Sequence, residues 1–133
     1  MECGISHVRL TGGEPLLHRD FLKIVHNIHE KGLFLYAVNT NGAFITESTL
    51  EEIRQAGSLP LLRISFDGIG FHDWMRGERG AEKRTLDAIH LCIEKGFPVE
   101  IQMNMNRRNL SGILPALEAR GNPFVGLVYH TDP

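Results

Sequence analysis

The chain has little cysteine, no long apolar run and no block of like charge, and each shortage removes a class of protein. Only two of its 133 residues are cysteines, Cys3 and Cys92. Two thiols so far apart make neither a disulfide framework nor a metal-binding spacing. Cys92, within Leu91-Cys92-Ile93 on an expected helix, reads as a small buried hydrophobe. No apolar stretch approaches the roughly 18 residues of a membrane span. Met1-Glu2-Cys3-Gly4 lacks the basic and apolar regions of a signal peptide, so a cytoplasmic protein without a membrane partner is the expectation. The formal charge is −2 and the basic residues are scattered, pairs such as Arg107-Arg108 being too small for a patch. That excludes a nucleic-acid footprint.

What remains is an ordinary globular composition. With 42% hydrophobic and 23% charged residues, the chain can build a core, and its length suits a single domain over residues 1–133. His26 and His29 are three apart on one helix, a spacing that could share a metal. No carboxylate or cysteine completes a set, so they read as solvated surface histidines and no metal ligand is assigned.

Strand-like and helix-like segments alternate from end to end. Strands are expected at His7–Leu10, Leu33–Asn39, Leu61–Phe66, Val99–Met105 and Phe124–Tyr129. A helix from about Arg19 to Lys31 places Phe21, Ile24, Val25 and Ile28 on one face, with Gly32 as its stop. A second begins near Ser48, where Ser48-x-x-Glu51 makes a capping box, and ends at Gly57. After a long charged connection from Ile69 to Ala81, a third runs from about Glu82 to Lys95 with Leu86, Ile89 and Ile93 inward. The last, holding Gly112 and Pro115, is expected to start irregularly and run to Arg120. Such alternation implies an α/β fold with a parallel sheet. Both a doubly wound sheet and a piece of a barrel meet that description; polar Gln102 and Asn104, two apart on one strand, suit the inner face of a barrel near its rim.

The strand ends hold the chemistry. In order they are Gly12-Gly13-Glu14, Thr40-Asn41-Gly42, Ser65-x-Asp67-Gly68, Asn104-x-Asn106 and His130, while the strand starts are plain. Ligands of parallel α/β folds bind at that rim. The first end is the most informative. Two glycines expose the main chain to a ligand, Glu14 adds a carboxylate, and Pro15 stiffens the turn. Carbonyls with a carboxylate, and no lysine where a phosphate loop would carry one, suit an ammonium better than a phosphate.

These residues resemble the radical S-adenosylmethionine superfamily. Val8-Arg9-Leu10-Thr11-Gly12-Gly13-Glu14-Pro15-Leu16-Leu17 matches its Gly-Gly-Glu-Pro motif, Thr40-Asn41-Gly42 its second landmark, and Ser65-Phe66-Asp67-Gly68 the strand end that helps hold the ribose. His72-Asp73-x-x-Arg76-Gly77 is similar to the segment that follows in the peptide-modifying and sulfatase-maturing branch, and Asn109 fits the same branch. The resemblance implies part of a (β/α)6 barrel with helices on its outer side. The main chain of Gly12 and Gly13, with Glu14, would hold the methionine ammonium. Ser65 and Asp67 would contact the ribose. Arg76, with Gln102 or Asn104, would approach the carboxylate or the substrate. Pro15 and Asn41 complete the cofactor-binding set, and no residue is assigned a catalytic role.

One departure matters. The family binds a 4Fe–4S cluster through Cys-x3-Cys-x2-Cys after its first barrel strand, and the chain has no such triad. The resemblance therefore implies barrel strands two to six, with the cluster segment expected upstream. The intact parent would take an electron from a donor, form a 5′-deoxyadenosyl radical and abstract a substrate hydrogen, a peptide being one candidate substrate, while this chain alone would be inactive. Alternatives are a cluster-less ligand-binding or protein-interaction domain of the same fold, and an enzyme like the molybdenum-cofactor cyclases. Removing a preceding strand would leave His7–Leu10 as an exposed edge, with self-association the expected result.

Overall fold

The computed structural model describes residues 4–118 and 124–129. Elements follow in the order β1 (His7–Leu10), a 3₁₀ turn (Pro15–Leu17), α1 (Phe21–Glu30), β2 (Phe34–Thr40), α2 (Glu47–Gln55), β3 (Leu61–Ser65), α3 (His72–Arg76), α4 (Ala81–Glu94), β4 (Val99–Met105), α5 (Leu110–Glu118) and β5 (Phe124–Tyr129). The five strands are parallel and lie side by side in sequence order. A doubly wound sheet reverses its order at a switch point. This one never reverses, which decides for a run of barrel staves. No helix among the described residues is long and apolar enough to cross a membrane.

The two faces of the sheet are chemically unlike. Leu35, Val38, Leu62, Ile64, Phe66, Val99, Ile101 and Met103 join Phe21, Val25 and Ile28 of α1, Leu50 and Ile53 of α2, and Ile89 and Cys92 of α4 in one buried cluster. The alternate residues carry Asn39, Arg63, Ser65, Glu100, Gln102 and Asn104, and the register sets Asn39 beside Arg63 and Ser65 beside Gln102. Arg63 and Glu100 pair there at 3.1 Å. One face is apolar and helix-covered, the other polar, as in the wall of a barrel.

Several helix ends differ from the sequence reading. α2 is capped by Thr46, whose Oγ1 accepts the Thr49 N–H at 3.1 Å. Ser48 already lies inside that helix and bonds Glu52 instead. The charged connection after β3 contains the short helix α3. On α4 the buried line is Thr85, Ala88, Ile89 and Cys92; Ile93, one residue or about 100° further round, is 46% exposed. α5 runs through both Gly112 and Pro115. Gly112 is required there, because a Cβ would lie 2.6 Å from the Phe71 ring and 2.7 Å from the Ile69 carbonyl oxygen. The expected end at Arg120, like Cys3 and His130, lies outside the described residues.

Candidate functional site at the strand ends

Beyond β1 the backbone turns sharply, with Gly12 at φ +135°. A Cβ built on Gly12 or on Gly13 meets nothing within 4 Å. Their main chain is therefore approachable from solvent, as a ligand would need. Glu14 is fastened. Its Oε1 accepts the Thr40 hydroxyl at 2.7 Å and the Leu16 N–H at 3.2 Å, and its Oε2 accepts the Asn41 N–H at 2.7 Å. A carboxylate has about four acceptor positions, so one remains. The β1 corner is thus tied to the end of β2. Pro15 opens the 3₁₀ turn, where its missing N–H costs nothing.

The second strand end folds back on itself. Thr40 Oγ1 accepts the Gly42 N–H at 3.0 Å, and Asn41 Oδ1 accepts the Ala43 N–H at 2.8 Å. These are local side-chain turns, and they leave Asn41 exposed beside the Glu14 carboxylate.

At the third end, Ser65 is half-buried on the polar face, whereas Asp67 is sealed. Its side chain is 2% exposed, with Oδ2 3.1 Å from Arg76 Nη2 and Oδ1 accepting the Asn104 N–H at 3.2 Å. Burial alone would raise its pKa. The hydrogen bond with His72, the Arg76 charge and the Asn104 N–H outweigh that and hold the carboxyl below its ordinary value. His72 Nδ1 lies 3.1 Å from the Asp67 N–H and 3.4 Å from Asp67 Oδ2. Nε2 lies 3.1 Å from Thr85 Oγ1, so both ring nitrogens are engaged, Nδ1 at Asp67 and Nε2 on α4.

Each residue of the His72-Asp73-x-x-Arg76 segment has its own task. His72 joins the β3 end to α4. Asp73 caps α4 in place of the glycine that precedes it, Oδ1 accepting the Glu82 N–H at 2.6 Å and Oδ2 the Gly80 N–H at 2.7 Å. Arg76 leans on Asp67 and keeps about a third of its side chain exposed (32%). It opens on a cleft of about 210 Å³ shared with Asn41 and Arg84. Gln102 is half-buried and Asn104 exposed, at successive levels of the same face. Of the sequence-predicted set, Gly12, Gly13, Glu14, Pro15 and Asn41 form one corner, with Ser65, Gln102, Asn104 and Arg76 further along the rim. Asp67 lies behind that rim. Thr40, Asp73 and Asn109 stood in the sequence motifs without an assigned site role: Thr40 joins Glu14 across 26 residues and Asn109 joins Asp67 across 42, whereas Asp73 acts nearby on Gly80 and Glu82.

A comparison with family models matches the Radical SAM superfamily over residues 2–110. The chain belongs to the Radical SAM superfamily. It is 36% identical over 111 residues, 82% of its length, to an AdoMet-dependent heme synthase of Methanosarcina barkeri, of which it covers 31%. It is 31% identical over 111 residues to a PqqA peptide cyclase of Bradyrhizobium diazoefficiens, covering 82% of this chain and 29% of that one. It is 31% identical over 129 residues to a probable GTP 3′,8-cyclase of Saccharolobus solfataricus, covering 95% and 41%. The chain thus spans about a third of the relatives it matches. Among solved structures, Streptococcus suis SuiB superposes with a TM-score of 0.78 at 17% identity, over 96% of this chain and 30% of that one. SuiB has also been solved bound to S-adenosylmethionine and to its precursor peptide SuiA.

Intact radical SAM enzymes work with S-adenosylmethionine and a 4Fe–4S cluster, and the two fit this chain differently. The open main chain at Gly12-Gly13 beside a fixed carboxylate suits an ammonium-bearing ligand. The cluster does not fit. It needs clustered thiolates, and Cys92 is buried in the core, where burial pushes its thiol up to about 12. Among the described residues no group of three or more His, Cys, Asp or Glu could hold a metal ion.

Proposed function

We propose that the chain is the S-adenosylmethionine-binding portion of a radical enzyme that abstracts hydrogen from its substrate, with a peptide as the preferred substrate class. The reading rests on one observation above the others. The Gly12-Gly13 main chain is open to a ligand while Glu14, next to it, is fixed at both oxygens. In this reading Gly12, Gly13 and Glu14 take the methionine ammonium, with Pro15 and Asn41 shaping the corner. Ser65 takes the ribose, and Asp67 contributes from behind by fixing Arg76. Arg76, Gln102 and Asn104 face the carboxylate or the substrate. When bound, the cofactor supplies hydrogen abstraction from carbon; the residues of this chain bind and orient. Fixing reactants in one geometry is itself a large part of catalysis.

A peptide is favoured by the His72-Asp73-x-x-Arg76 segment and by relatives named as peptide cyclases. Cluster ligands and an electron donor are assigned to the parent outside this chain. Titration calorimetry with S-adenosylmethionine tests the binding role, with saturable binding expected, and binding lost in Glu14→Ala. Absence of binding by the intact chain overturns it. Anaerobic reconstitution with iron and sulfide tests the division of labour. No stable cluster and no cofactor cleavage are expected, and a cluster that cleaves S-adenosylmethionine on this chain alone would refute that division.

A further inference from the structure

Asn109 is the only buried polar residue of the β4–α5 connection, and its side chain is 0% exposed. It immediately precedes α5, where an asparagine ordinarily turns its carbonyl oxygen to a helix N–H. Here the side chain faces the other way. Its Nδ2 donates to the Asp67 carbonyl at 3.0 Å and to the Asn104 carbonyl at 2.7 Å, and its Oδ1 accepts the Asn106 N–H at 2.8 Å. Asp67 and Asn104 are bonded to each other as well, through the Asn104 N–H and Asp67 Oδ1 at 3.2 Å.

The result is a closed ring of hydrogen bonds between the ends of β3 and β4. The ladder between these strands ends at Ser65 and Gln102, with a last bond from the Phe66 N–H to the Gln102 carbonyl at 2.9 Å. Beyond that level the Asn109 amide takes over the ladder's work. Its reach then sets how far apart the Ser65 and Asn104 side of the rim stands, and through Asp67 it sets where Arg76 is held. The helix behind is seated as closely as backbone allows, since a Cβ on Gly68 would lie 3.2 Å from the Gly112 carbonyl oxygen.

We propose that Asn109 is a positioning residue of the cofactor site. It touches no ligand and acts by fixing the spacing of the Ser65, Arg76 and Asn104 groups. The proposal rests on the S-adenosylmethionine reading above. Only an amide of this length gives two donors to the two carbonyls and an acceptor to Asn106.

The test is S-adenosylmethionine affinity by calorimetry on the full chain, with folding followed by circular dichroism. Asn109→Asp keeps shape and volume but turns an oxygen toward two carbonyl oxygens. It is expected to weaken binding about tenfold while the chain stays folded, a size set by misplacing one or two polar contacts. Asn109→Ser, which keeps one donor, serves if the aspartate variant does not fold, and the same loss is expected. Ile113→Val, one turn along α5, is the control for a merely structural effect: it lowers stability and should leave the affinity unchanged. Hydrogen exchange at the Asn104 amide should quicken in the Asn109 variants and not in the control. Folded Asn109 variants that bind as the parent chain does overturn the proposal and leave the binding reading standing. A parent chain that binds no S-adenosylmethionine overturns both.

Discussion

Replacing Glu14 by glutamine tests whether the first corner is a rigid strut. The side chain keeps its length and loses its charge. In the native corner the Asn41 N–H and the Thr40 hydroxyl each sit 2.7 Å from a carboxylate oxygen, and the Leu16 N–H sits at 3.2 Å. Glutamine has one acceptor oxygen, so it serves either the Asn41 side or the Thr40 and Leu16 side and presents an N–H₂ to the other. A hydrogen bond to a charged group contributes about 1.5–3 kcal/mol and a neutral one about 1. Two short bonds losing charge assistance, at a half-buried position, amount to a loss of about 2 kcal/mol. At roughly 3 °C per kcal/mol for a chain of this size, the melting temperature should fall by about 6 °C. Urea unfolding at unchanged m reads the free energy directly. Combining Glu14→Gln with Thr40→Val should cost clearly less than the two singles together, because both remove the same bond. A glutamine variant within about 0.5 kcal/mol of the parent, or strict additivity with Thr40→Val, refutes the strut.

Four further outcomes follow from other parts of the molecule. The depressed Asp67 pKa means that its contribution is present above the unfolded value of about 3.9 and is lost as pH falls through the lower folded value. Acid titration of stability should therefore show a steeper fall below about pH 4 in the parent than in Asp67→Asn, itself destabilised by about 2 kcal/mol at neutral pH for want of a partner for Arg76. Cys92, with its thiol at about 12 and no exposure, should react with an alkylating agent only as fast as the chain unfolds; rapid modification in native buffer, mapped by mass spectrometry, would refute this. Gly112→Ala gains about 1 kcal/mol of helix propensity but must displace Phe71 or the Ile69 carbonyl, so a net loss of about 1–2 kcal/mol is expected in urea unfolding. The outer edge of β1 should recruit a second copy, and a monomeric sedimentation profile at high concentration would count against it.

The sequence by itself determined the kind of sheet and the end of it that matters. Alternating strand and helix patterns require parallel pairing. The glycines and short polar residues gathered after each apolar run could be read without coordinates, because turn chemistry and apolar periodicity are local. The Gly12-Gly13-Glu14 corner and the buried Cys92 were legible for the same reason. Two α/β architectures stayed open, and only the consecutive strand order separated them.

What the tertiary structure decided is long-range. Asp67 has the composition of a ligand-binding carboxylate, yet its partners Arg76, His72 and Asn104 converge on it from α3 and β4 and bury it. Asp73 looks like part of a binding segment and instead caps a helix through Gly80 and Glu82. Asn109 fits a family pattern in the sequence, but that pattern does not show that it joins the carbonyls of Asp67 and Asn104, 42 and 5 residues away. Thr46 displaced Ser48 as a cap because the helix begins at Glu47, and the cap falls two residues earlier than the capping pattern suggests. A polar side chain declares its chemistry in the sequence. Whether it faces a ligand or another strand depends on which groups the fold brings within about 3 Å of it, and that is settled only when distant strand ends meet at one rim.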